Sequence, residues 1–259
     1  MLFTYTSGQP TSPAIVFLHG GGVSGRMWQP QLERLADNYY CLAPDLPEHG
    51  KSIDAGPFRI DETARQVARL IDERVPGKRA HLVGLSAGGV VALTMMDLVP
   101  EYIEDVIVSG TSGRMGKIIG TIGLYGGIIY KFKFIKLEPL IKLGFKNLSV
   151  PAQYHDMLTE DTLRTSNETF NKHLFKELMA APMPCDSSIS TLVVVGEREN
   201  FIAKQYARKI VACLKQSQGF IVSGMNHVWN LQDPDLFAEM VGAWIEHRPL
   251  PAGLRPLGK

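Results

Sequence analysis

Several things are scarce in this sequence, and each scarcity excludes something. Its 259 residues include three cysteines, Cys41, Cys185 and Cys213. They are far apart, odd in number and without metal-ligand spacing, so neither a disulfide framework nor a metal centre is expected. Net charge is almost absent: 27 basic against 26 acidic residues leave +1, no argument for a nucleic-acid partner. No apolar run reaches the roughly 18 residues of a spanning helix. The opening MLFTYTSGQPTSPAIVFLHG lacks a basic region followed by a long apolar stretch, so no signal peptide is expected and a cytoplasmic location is the default. Repeats and low-complexity tracts are missing too. With 45% hydrophobic and 20% charged residues the composition is that of a chain able to bury a full core.

What is present is alternation. Strand-like runs at Ala14 to His19, Tyr39 to Ala43, His81 to Leu85, Tyr102 to Ser109 and Thr191 to Val195, with Gly219 to Val222 as the last, are β-branched and nearly uninterrupted. Between them, apolar residues recur at helical intervals over Trp28 to Ala36, Ile60 to Val75, Ala87 to Val99 and Ile202 to Leu214, with a last helix over Leu236 to His247. Continuous apolar strands separated by helices predict an α/β fold with a mostly parallel, doubly wound sheet covered on both faces. Residues 111–183 break the rhythm: they lie between two core strands, contain no clean strand and are too long for an ordinary connection. They are read as a helical cap inserted into a core made of residues 1–110 and 184–259. From Thr111 to Val150 the cap carries seven basic residues against one acid, Glu138, around the uncharged stretch Ile118 to Tyr130. A hydrophobic lid over an acyl pocket, contact with an anionic or lipid surface, and ordinary amphipathic packing all fit that pattern. The lid reading makes Ile128 a candidate substrate contact.

Gly84-Leu85-Ser86-Ala87-Gly88 fits G-x-S-x-G. The pattern is weak alone, but here a buried strand runs into the serine and a helix leaves it, the strand–turn–helix that a nucleophile elbow requires. A serine hydroxyl needs an adjacent base. Of the histidines after Ser86, His155 and His173 fall in the cap and His247 ends the last helix. His227 follows the strand ending at Val222, on a loop at the carboxyl edge of the sheet, where ligands bind in open α/β sheets. The orienting acid must lie between the two; Glu197 and Glu199, both just after the strand at Thr191 to Val195, are the candidates. His19-Gly20-Gly21-Gly22 offers backbone N–H groups that can approach a substrate closely. Gly21 is assigned as one oxyanion donor, with Gly22 as its competitor, and Ala87 as the other.

Taken together, LHGGG at Leu18 to Gly22, Trp28 beyond it, DLPEHGKS at Asp45 to Ser52, GLSAGG, VGEREN and GMNH resemble the α/β-hydrolase superfamily, in its capped esterase, lipase and lactonase branch. The resemblance covers Ala14 to Ser109 and Thr191 to Trp244. It implies a serine hydrolase acting on small to medium hydrophobic esters through an acyl-enzyme, with catalytic Ser86, Glu199 and His227. Glu199 is preferred over Glu197 because the family's acid stands three residues after the glycine that closes its strand, here Gly196. Substrate contacts are expected at Gly22, Trp28, Leu85 and Met225. No cofactor is implied, and a monomer or homodimer is expected, without membrane insertion. Lactone opening, carbon–carbon bond hydrolysis, a lyase reaction and a non-catalytic ligand-binding role stand as alternatives on the same fold. Three departures are noted: Glu where the acid is more often Asp, His49 where the pattern often has Gly, and a segment before Ala14 too short for the usual N-terminal hairpin.

Overall fold

A computed structural model describes residues 1–113, 138–165 and 168–258. Among them, eight strands form one sheet: β1 (Thr4–Ser7), β2 (Ala14–Leu18), β3 (Tyr40–Pro44), β4 (Ala80–Leu85), β5 (Ile103–Ser109), β6 (Thr191–Gly196), β7 (Ser217–Val222) and β8 (Leu254–Pro256). Their spatial order is β1-β3-β2-β4-β5-β6-β7-β8. The six strands from β3 to β7 run parallel, while β1 and β8 pair antiparallel at the two edges. The helices α1 (Gln29–Leu35), α2 (Ile60–Arg74), α3 (Ala87–Leu98), α7 (Phe201–Cys213), α8 (Trp229–Gln232) and α9 (Pro234–Ile245) alternate with the strands. This is the mostly parallel, doubly wound sheet expected from the pattern.

Alternation along each strand divides the core into two layers. Val16 and Leu18 of β2 pack with Ala64, Val67 and Ile71 of α2, Val91 of α3 and Ile210 of α7. Ile15 and Phe17 point the other way, to Leu32 of α1 and Phe237 and Met240 of α9. Both faces are covered, which is why β2 and β3 are apolar throughout and buried at every position.

Two edge strands escape the sequence reading. β1 pairs antiparallel with β3, Thr4 to Ser7 against Pro44 to Cys41. β8 follows the supposed last strand and pairs Leu254 with Val222. Both are short and lack an apolar run, because an edge strand is buried on fewer sides.

The cysteine expectation is overturned: Cys185 and Cys213 form a disulfide, with Cα atoms 4.8 Å apart. β6 runs up and α7 runs back, so the end of α7 returns to the segment that precedes β6. Linear spacing carries no trace of that return. Among the described residues no helix is long and apolar enough to cross a membrane.

Between β5 and β6 lie α4 (Glu138–Asn147), α5 (His155–Thr165) and α6 (Glu168–Ala180). Among the described residues, polar contacts from α5, α6 and the connection between α4 and α5 tie this insertion to the core. Asp161 of α5, buried, accepts from Ser24 Oγ and from Arg26, both at 2.5 Å. Glu177 of α6 accepts the Ile60 N–H at the start of α2, at 2.9 Å. Ser149 Oγ accepts from Asn226 at 3.0 Å. The uncharged stretch Ile118 to Tyr130, with Ile128, lies outside the described residues.

Candidate active site

The strand order reverses around β2: the chain passes from β2 to β3 on one side, then crosses to β4 on the other. Loops leaving the carboxyl ends of β2 and β4 therefore diverge and leave a crevice between them, the usual ligand position in such sheets. Ser86 stands at the end of β4 and His19 to Gly22 at the end of β2. The loops after β6 and β7 carry Glu199 and His227 to the same edge.

Ser86 has φ 55 and ψ −115, a conformation in which an L side chain is strained. The turn is held by Ser86 N–H donating to Ser109 O at 2.9 Å and by Gly89 and Val90 N–H groups donating to Ser86 O. It can be this sharp only because Gly88 has no side chain: a Cβ there would run into the Leu18 and His19 carbonyls. α3 starts at Ala87, so its N-terminus faces the serine and favours negative charge there.

His227 Nδ1 lies 2.7 Å from Glu199 Oε2. The carboxylate's other oxygen accepts Gly196 N–H at 3.0 Å. Glu199 is almost fully enclosed, with 3% of its side chain exposed, whereas His227 retains 32%. A carboxylate accepts, so Nδ1 carries the proton and Nε2 is left as the imidazole's basic nitrogen. Glu197, two residues away, faces elsewhere: it accepts from Gly224 N–H and Arg255, both at 2.8 Å. Those partners hold its carboxyl below the ordinary range. Gly110 connects the parts. It follows Ser109, the register partner of Leu85, and a Cβ on it would sit 2.7 Å from His227 Nδ1.

On the β2 loop the N–H of Gly22, the competitor for the first oxyanion donor, is given to His49 Nε2 at 3.1 Å. Gly21 is exposed, with Leu174 of α6 directly over it. Ala87 is buried at the first turn of α3.

The alpha/beta hydrolase family model matches residues 15–240. The chain belongs to the alpha/beta hydrolase family. It is 31% identical over 256 residues to an AB hydrolase superfamily protein of Gibberella zeae, covering 96% of this chain and 86% of that one. A 3-oxoadipate enol-lactonase 2 of Acinetobacter baylyi is 33% identical over 114 residues, 43% of this chain and 42% of that one. Among solved structures, MenH from S. aureus superposes with a TM-score of 0.78 at 23% identity, covering 95% of this chain and 97% of that one.

Within this hydrolase the remaining expectations divide. Leu85 is buried beneath the loop, its side chain 3.5 Å from where a Gly20 Cβ would sit. Met225 is partly exposed, two residues before His227. Trp28 is corrected: it is fully enclosed, with ring centroids 5.1 Å from Phe17 and 5.5 Å from Phe237. It is a core residue of the α1–α9 layer, not a surface of the crevice, because its apolar bulk fills the space between the sheet and α9. The noted departure at His49 is also one residue off. Laid on Asp45 to Ser52, the Asp-x-x-Gly-x-Gly-x-Ser pattern that the resemblance implies puts its first glycine at Glu48, and Glu48 has the left-handed φ of 64.

Proposed function

We propose that this chain is a serine hydrolase of carboxylic esters. The observation that carries the reading is the Glu199–His227 pair at 2.7 Å, on loops that leave the same sheet edge as the strained strand–helix turn at Ser86. Ser86 Oγ attacks the ester carbonyl while His227 Nε2 takes its proton. The tetrahedral oxyanion is met by the N–H groups of Gly21 and Ala87. Collapse expels the alcohol, which takes the proton from His227. Water, deprotonated by the same nitrogen, then attacks the acyl-serine and frees the acid and Ser86. Glu199 keeps the imidazole oriented and balances its positive form.

Relatives named as an enol-lactonase and as a pimeloyl-[acyl-carrier protein] methyl ester esterase support ester chemistry. Lactone opening is the second reading, favoured by the enol-lactonase match, since a cyclic ester needs no different machinery. Small to medium hydrophobic acyl groups are the proposed substrates. The test is turnover of p-nitrophenyl esters of increasing chain length and of a lactone panel, with wild type and Ser86→Ala. Loss of roughly 10⁴-fold or more on Ser86→Ala is expected, because triad members act as a unit. Retention of more than about a tenth of the activity removes Ser86 from the role.

A further inference from the structure

Two buried histidines outside the Ser86–His227–Glu199 set cross between the β2 loop and the loop after β3. His19 Nδ1 lies 2.8 Å from Gly20 O, and its Nε2 accepts Leu46 N–H at 2.9 Å. His49 Nδ1 lies 2.9 Å from Pro47 O, and its Nε2 accepts Gly22 N–H at 3.1 Å. A ring nitrogen that accepts an N–H carries no proton, so each ring is protonated on Nδ1 and donates to the carbonyl beside it. Each histidine thus accepts from the other's loop. Both are wholly buried, and the rings meet edge to face with centroids 4.8 Å apart. Phe58 and Phe170 complete the cage around His49, at 5.8 and 4.8 Å. Burial holds both rings below the ordinary range, His49 at about 4, so the clasp is neutral at neutral pH.

The consequence follows from peptide geometry. A trans peptide is planar, and its C=O and N–H point in opposite directions. Gly20 O and Gly21 N–H belong to one peptide, so His19, by holding the carbonyl, turns the Gly21 N–H to the other side. The next peptide carries the Gly22 N–H, which His49 holds. Glycines have wide backbone freedom, so consecutive glycine peptides keep one orientation only if something grips them. The loop that supplies His49 is itself anchored, because buried Asp45 accepts the N–H groups of Gly25 and Lys51 at 2.8 and 2.7 Å.

We infer that His49 is a positioning residue: by accepting the Gly22 N–H it holds the β2 loop in the orientation that presents the Gly21 N–H to the oxyanion. The inference rests on the ester-hydrolase reading above. Losing an oxyanion donor costs about 10²–10³-fold in kcat, and a misplacement of about 1 Å costs about 10²-fold. Loosening the grip is therefore expected to cost about 10- to 100-fold.

The experiment compares His49→Gln with His49→Met, side chains of nearly equal size. Glutamine keeps a carbonyl to accept from Gly22 and an amide to donate to Pro47; methionine keeps neither. The readouts are kcat and KM on one p-nitrophenyl ester, and affinity for an alkyl boronic acid, which forms a tetrahedral adduct on serine. For His49→Met, kcat should fall about 10- to 100-fold, KM should stay within about twofold, and boronate affinity should fall with kcat. His49→Gln should stay within about threefold of wild type. A His49→Met enzyme within about threefold of wild type, or an equal loss in His49→Gln, overturns the inference. Should neither variant fold, nitrogen NMR of the wild-type imidazoles decides: Nδ1–H on His49 between about pH 6 and 8 is expected, and Nε2–H overturns it. A wild type that neither turns over esters nor binds the boronate sinks the ester reading instead, so the two failures are distinguishable.

Discussion

Glu197 and Glu199 stand on one short loop, yet their carboxylates serve different elements. Glu199 is enclosed and accepts from His227 and Gly196; Glu197 is exposed and ties the β7 loop to β8 through Gly224 and Arg255. Residues this close in a turn point apart, so geometry separates them where composition cannot. Glu199→Gln is therefore expected to lower kcat by about 10³- to 10⁴-fold, by the loss of orientation and of charge beside the imidazole. Glu197→Gln should leave kcat within about threefold. Parallel kinetics on the two variants check this, and a larger loss at Glu197 reverses the assignment. The residues alone left Glu197 and Glu199 open, and the preference for Glu199 came from the family resemblance, whose acid stands three residues after the glycine that closes its strand. The contact of the Gly22 N–H with His49 was not legible in the sequence, because the two are 27 residues apart.

At the scale of elements, the insertion joins the core through apolar side chains such as Leu158 and Phe170 and through several polar contacts. Asp161 is the strongest, a carboxylate with 3% of its side chain exposed that receives both Ser24 and Arg26. Arg26 itself is 31% exposed, so water shares in stabilising its charge when the partner is removed. Asp161→Ala is expected to destabilise the protein by about 2 kcal/mol, below the 3–5 of a fully buried pair. Since Ser24 and Arg26 follow directly on the β2 loop, KM should rise as the insertion loosens. Denaturant midpoint and KM of the variant are the measurements; no change in either means that α5 is held by other contacts. The sequence showed a long interruption without a strand where the described residues hold α4, α5 and α6. The attachment of the insertion was not legible, because α5 contacts a loop more than 130 residues earlier in the chain.

For the whole molecule, the buried histidine pair sets a dependence on pH. His49 has a folded pKa of about 4 against an ordinary 6.5, lowered by burial, and the His19 ring that faces it is displaced in the same direction. Above about pH 6.5 neither the folded nor the unfolded form holds the proton, and the native advantage is fully present. As pH falls from 6.5 towards 4 only the unfolded chain takes it up, so stability is lost. For His49 alone the loss reaches about 3 kcal/mol. Denaturant midpoints at several pH values in that window should fall steadily in wild type and less steeply in His49→Gln. Equal slopes for the two would place the acid sensitivity in other groups.

The sequence by itself determined the layered α/β architecture, because a strand buried on both faces must be apolar throughout and its helices must repeat at their own period. It also offered the candidate serine and histidine and two candidate acids, because each follows a strand at the same sheet edge and the parallel order brings those ends together. Tertiary structure alone decided what depends on distant segments meeting. The Cys185–Cys213 bond, the edge strand β8, the burial of Trp28 between Phe17 and Phe237, and the grip of His49 on Gly22 all join residues whose separation along the chain says nothing about distance. Periodicity reports how one element meets the core; it carries no information about which loop a buried side chain will find when the sheet closes.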